Sequence, residues 1–185
     1  MYYRAAITAL WLILFAYWVY SAGGNKATVY RINPVWRALS VLGIVGLFIL
    51  FEAFPRSFRH HLYFPTESDE AAGIAVCAAG VAFAIWARHT LGRNWSGTPT
   101  IKEGHELIET GPYRYVRHPI YTGILIGMVG SGIGSGQAKH LLIIGTALVI
   151  LWTKLRIEES LMLRQFPQTY PEYMKRTKAL IPFVL

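Results

Sequence analysis

Of the 185 residues 54% are hydrophobic and only 15% are charged, a balance that argues against a water-soluble globule. The net charge of +8 would suit a nucleic-acid binder, yet no recognition helix or RNA-binding fingerprint accompanies it, so no nucleic-acid partner is read. Cys77 is the only cysteine, which excludes an internal disulfide.

The apolar residues fall into five stretches with almost no charge, roughly 5–24, 36–54, 71–87, 119–136 and 140–153. A bilayer core about 30 Å thick takes about 20 helical residues, and the first four stretches reach or approach that length. The fifth is short and would span by tilting, by running on through Lys154 with a snorkelling side chain, or by meeting a locally thin bilayer. The pattern predicts an all-α integral membrane protein with about five transmembrane helices.

The first stretch ends in Ser21-Ala22-Gly23-Gly24, as a signal peptide would, but its apolar run is long and its leading residues carry only Arg4. It is read as a retained helix. Trp11, Tyr17, Trp18 and Trp36 stand near the ends of the first two stretches as interfacial anchors, with no chemistry assigned to them. The third, AAGIAVCAAGVAFAIWA, is rich in small residues that let a neighbouring helix come close, and Cys77 within it reads as a small buried residue. Gly130, Gly132, Gly134 and Gly136 read as a flexible turn closing a helical hairpin.

Two polar regions remain, the connection from Arg88 to His118 and the tail from Lys154 to Leu185. Trp95, Ile101, Leu107, Ile108, Tyr113 and Tyr115 give the connection material to pack, which argues for order. In the tail, LRIEESLMLRQF has helical spacing, and Tyr170, Tyr173, Ile181 and Phe183 extend its apolar contact, as a lid over the connection would. The chain therefore divides into membrane helices over 1–87 and a catalytic half over 88–185. With the N-terminus outside, 14 of the 18 Lys and Arg residues fall on the cytoplasmic side, which places the C-terminus and both polar regions there.

Three constellations carry chemistry. In Arg117-His118-Pro119, proline fits the first turn of a helix and leaves His118 just outside it, facing a cavity at a helix N-terminus where Arg114 and Arg117 add to the attraction for a carboxylate. Glu158-Glu159 follow the fifth helix, with Lys154 and Arg156 near enough to pair; adjacent positions diverge by about 100°, so only one glutamate faces a given pocket squarely. His105-Glu106-Leu107-Ile108-Glu109 begins like a zinc motif but lacks its second histidine, and His60-His61 is an isolated pair, so no metal is expected. No nucleophile elbow or paired-cysteine site is present.

The run GPYRYVRHPIYTG from Gly111 to Gly123, then Glu158-Glu159, Phe166, Tyr170, Tyr173 and Ile181-Pro182, resembles the isoprenylcysteine carboxyl methyltransferase family over roughly residues 88–185. The resemblance implies an integral membrane methyltransferase that uses S-adenosyl-L-methionine on a lipophilic acceptor in the bilayer. It assigns cofactor binding to His105, Glu106, Leu107, Ile108, Tyr113, His118, Pro119, Tyr121 and Glu158. An arginine that contacts substrate in the family is matched by Lys154, a departure, with Arg156 as the other candidate. For a carboxylate acceptor a nearby cation such as Arg117 is enough, whereas an amine must lose a proton, to Glu159 or His105. Prenylcysteine-type carboxyl methylation, N-methylation of a phospholipid or other amine, and a reductase sharing the pocket all stay open at this point.

Overall fold

The computed structural model describes residues 2–23, 26, 28–31, 60–95, 100–104 and 106–181; the helix expected over 36–54, and His105, lie outside them. The described chain is mostly helical: α1 (Tyr2–Ala22), α2 (Glu67–Leu91), α3 (Pro119–Ser135), α4 (Lys139–Gln165) and the short α5 (Thr169–Arg176). Single 3-10 turns lie at Gly92–Asn94 and Gly111–Arg114. A small antiparallel ladder, β1 (Thr28–Arg31) with β2 (Thr100–Lys102), was not legible in the sequence.

Helices α1, α2 and α4 are long and apolar enough to cross a bilayer, while α3 is shorter, with 17 residues. The fifth stretch continues through Lys154 into one helix of 27 residues, α4, which is long enough to span. Thr66 starts α2 with a capping box: its hydroxyl accepts from the Asp69 N–H at 3.3 Å, and the Asp69 carboxylate accepts from the Thr66 N–H at 2.8 Å.

The small residues of α2 meet the glycines of α3, which runs antiparallel to it. A Cβ added to Gly80 would lie 2.6 Å from the Gly123 carbonyl, and one on Gly73 would lie 2.6 Å from the Gly134 nitrogen. The two backbones therefore touch with nothing between them, the close approach that small residues allow in lipid. Gly130, Gly132 and Gly134 belong to α3 and do not form a flexible turn. Gly130 and Gly134 are buried along its packed faces, and only Gly136, a left-handed C-cap at φ 61°, makes the turn into α4.

Helix α1 runs parallel to α2. Near its start the Tyr3 hydroxyl donates to the Ser131 carbonyl at 2.5 Å, and the Trp11 indole donates to the Ser131 hydroxyl at 3.1 Å. At its other end the Ser21 carbonyl accepts from the Arg88 guanidinium at 2.6 Å. Cys77 is fully buried in this seam, 3.8 Å from the Ser131 hydroxyl. The Lys26 N–H donates to Arg93 O at the Arg88 end, and the Leu62 N–H to Gly136 O at the opposite end.

Candidate active site

Pro119 occupies the first position of α3, where a missing N–H is harmless, and leaves His118 as the N-cap. The backbone ahead of the helix then binds the tail. The Arg117 N–H donates to Lys178 O at 2.8 Å, the His118 N–H to Ala179 O at 3.0 Å, and the Thr122 hydroxyl to Leu180 O at 2.6 Å. The Arg117 guanidinium also donates to Thr177 O. Behind this strap the Tyr173 hydroxyl donates to Tyr113 O at 2.6 Å, fixing α5 on the turn Gly111–Arg114. Burial pushes the Tyr113 phenol above its ordinary range, so it stays neutral.

One turn into α3, the Tyr121 ring lies parallel to His118, with centroids 5.4 Å apart, and its hydroxyl donates to Glu158 Oε1 at 2.7 Å. His118 stands between two carboxylates, with Nδ1 3.5 Å from Glu158 Oε2 and Nε2 3.5 Å from Glu159 Oε1. Burial disfavours the imidazolium, but the two carboxylates outweigh it and raise the His118 pKa above its ordinary value. Glu159 takes its main partner from across the fold, Arg117 Nε at 2.7 Å, rather than from the nearby Lys154 or Arg156; both side chains are at least 90% buried. Lys154, one turn before Glu158, holds its ammonium 5.2 Å from the centre of the Tyr121 ring.

These groups open onto a cavity of about 370 Å³, at the low end of the ligand-site range. Glu106, Leu107, Ile108, Tyr113, Arg117, His118, Tyr121, Lys154 and Glu158 all line it. Pro119 is buried and Glu159 sits behind His118, so neither is part of the lining. Arg156 is exposed and outside the cavity, because two residues along a helix from Lys154 is about 200° around it. Glu106 also pairs with Lys26 at 3.4 Å.

Sequence reasoning missed one wall. Trp18 of α1, read only as an interfacial anchor, lines the cavity together with Asn94 and Trp95 from the end of α2. Trp18 stacks on Trp95 with centroids 6.5 Å apart, and the Arg88 guanidinium covers Trp95 at 4.5 Å while bonding Ser21 O and Gly92 O. An arginine near the end of one apolar helix and a tryptophan near the end of another are the only signal the sequence holds. Tyr170 and Tyr173 also line the cavity, through the docked tail. Trp18 Nε1, Asn94 Oδ1 and His118 Nε2 are buried without a hydrogen-bond partner, and all three belong to cavity-lining residues.

The fold and parts of the sequence recur in known proteins. A eukaryotic intramembrane Ras methyltransferase, isoprenylcysteine carboxyl methyltransferase, matches 84% of this chain and 55% of its own with a TM-score of 0.55 and 27% identity. The protein-S-isoprenylcysteine O-methyltransferase of Saccharomyces cerevisiae is 32% identical over 53% of this chain and 42% of its own length. The nickel-cobalt-cadmium resistance protein NccN of Alcaligenes xylosoxydans xylosoxydans is 33% identical over 50% of this chain and 44% of its own. The matched stretch is thus somewhat under half the length of these curated relatives. Together with the long apolar helices, the structural match makes the chain an integral membrane protein with an intramembrane methyltransferase fold. Residues 69–169, more than half of the chain, match the family described as phospholipid methyltransferase, and the chain belongs to that family.

Proposed function

We propose that the chain is a methyltransferase that moves a methyl group from S-adenosyl-L-methionine to a lipophilic acceptor, a carboxylate of the isoprenylcysteine type. The observation that carries this reading is the cavity where Tyr121, His118, Glu158 and Lys154 converge at the end of the membrane helices. Its buried polar atoms without partners fit a polar guest, and its aromatic rings fit a cationic one.

When bound, the cofactor supplies an electrophilic methyl group on a sulfonium. Glu158 would hold its ammonium or hydroxyl groups, Tyr121 would present a π face to positive charge, and Glu106, Leu107, Ile108 and Tyr113 would close the wall beside it. Arg117, oriented by Glu159 and Thr177 O, and Lys154 would hold an acceptor carboxylate, which needs no base. The docked tail covers the backbone at that end of the cavity. The positive-inside bias of the cations supports a cavity on the cytoplasmic side, with the N-terminus outside.

The phospholipid methyltransferase match favours a second reading, an amine acceptor on a lipid headgroup. The test is titration of the detergent-purified protein with S-adenosylhomocysteine, followed by product analysis. Saturable binding is expected, lost in His118→Ala; no binding by folded wild type overturns the reading. A product that releases methanol in mild base is a methyl ester, and one that does not is the N-methyl product of the second reading.

A further inference from the structure

We propose that a second cavity, at the opposite end of the helices from the first, holds an anionic phospholipid by the phosphodiester of its headgroup. It has a volume of about 860 Å³ and is lined by Arg4 and Thr8 from α1, His61 ahead of α2, Glu70 in the first turn of α2, and Lys139 and His140 from the start of α4. Helix α3 alone, 17 residues at about 1.5 Å each, puts roughly 25 Å between this cavity and His118. The site is therefore separate from the one where methyl transfer is placed.

Its walls are fixed by bonds that leave the charged groups out. The Tyr3 hydroxyl ties α1 to the end of α3 through Ser131 O, and the Tyr63 hydroxyl donates to Ile133 O. The Ala138 N–H donates to His60 O at 3.0 Å, which joins the segment ahead of α2 to the turn before α4. His140 Nδ1 lies 2.8 Å from the Ser135 hydroxyl, so that ring is held in place as well.

The charged groups are within a guest's reach. Arg4 is exposed and forms no ion pair among the described residues, while Lys139 and Glu70 are half-buried. Arg4 and Lys139 against Glu70 give the lining one net positive charge with its histidines neutral, the complement of a single phosphodiester. Thr8 and Gln137 add a hydroxyl and an amide for the hydroxyls of a glycerol-type headgroup. The rim is apolar: Leu62, Phe64 and Leu141 are 61%, 85% and 64% exposed, next in sequence to the lining residues His61, Pro65 and His140. A basic cleft between membrane helices with such a rim suits an amphiphile, its chains lying along the helices, better than a water-soluble phosphate.

The test is native mass spectrometry of the detergent-purified full chain, titrated with a short-chain phosphatidylglycerol, the phosphatidylcholine of the same chain length, and glycerophosphoglycerol as the soluble headgroup. Phosphatidylglycerol is expected to bind saturably and the other two at least several-fold more weakly. Arg4→Gln and Lys139→Gln should each weaken phosphatidylglycerol about tenfold, the loss of one charge-assisted hydrogen bond. Arg164→Gln, which removes an exposed cation outside both cavities, should leave it unchanged. Equal binding of the two lipids, unchanged affinity in Arg4→Gln and Lys139→Gln, or an equal loss in Arg164→Gln overturns the site. Soluble headgroup that binds as tightly as the lipid overturns the lipid as its source. Should Lys139→Gln not fold, Arg4→Gln, at an exposed position, decides alone. None of these arms uses the methyl donor, so their failure leaves the donor reading intact.

Discussion

Helix α3 packs in two different ways along its length. From Gly123 to Gly134 it lies against α2 backbone to backbone, and the glycines leave no side chain between them. At Pro119–Tyr121 it is surrounded instead by polar groups from the tail and α4, three of which pair with residues far away in sequence: Arg117 with Glu159, Tyr121 with Glu158, His118 N–H with Ala179. The seam supplies rigidity from shape, which needs only small residues at the right spacing. The cavity end supplies charge in a place where charge is expensive, so its charged groups depend on partners. Gly123, the last residue of the family-like motif, belongs to the seam, for a Cβ there would lie 2.6 Å from the Gly80 carbonyl.

The comparison predicts that the two regions fail differently. Gly80→Val puts branched carbons onto backbone that cannot move aside, so its cost should exceed the ~1–3 kcal/mol of an ordinary overpacked core. No folded monodisperse protein is expected on size exclusion in detergent; a normally folded variant would show that the seam is looser than described. Arg117→Ala should cost about 3–5 kcal/mol, because Glu159 is left as a buried charge without its main partner. Replacing both residues with apolar ones of similar size should recover much of that loss in detergent thermal unfolding. If the double variant is no better than Arg117→Ala, the Thr177 contact and not the ion pair holds the tail.

The seam was largely legible in the sequence, and the cavity end only in part. Small residues repeated through 71–87 announce close packing, because in a membrane helix composition and contact are nearly the same statement. The same logic misassigned Gly130, Gly132 and Gly134: glycines at alternate positions look like a turn until the partner helix that needs them is known. At the site, the Arg-His-Pro run and the paired glutamates stood out because polar residues flanking apolar runs are conspicuous, and geometry places His118, Tyr121 and Glu158 around one cavity. Their pairing was not legible, since Arg117 reaches a glutamate 42 residues on, past the nearer candidates Lys154 and Arg156. Trp18 was hidden because an aromatic near a helix end has an ordinary explanation, and only the parallel docking of α1 brings it to the cavity.

Smaller changes at the cavity end should separate binding from folding. Tyr121→Phe keeps the ring beside His118 and removes the bond to Glu158; a hydrogen bond to a charged group is worth about 1.5–3 kcal/mol. S-adenosylhomocysteine should therefore bind at least tenfold more weakly by calorimetry while thermal stability changes less. Unchanged binding would take Glu158 out of the donor's site.

The smallest effect expected is a dependence on pH. His118 has a folded-state pKa raised by Glu158 and Glu159 against the opposing effect of burial. The stability its imidazolium contributes is complete below its unfolded pKa, about 6.5, and is lost as the pH rises through the folded value. Thermal unfolding in detergent should show a gentle decline over that interval for wild type. His118→Gln, with no titrating ring between the two glutamates, should flatten it. The glycine seam contains no comparable group, so Gly80 variants that still fold must keep the wild-type slope. A slope that persists in His118→Gln would mean that another group titrates, and that the histidine between the carboxylates does not carry the charge its surroundings favour.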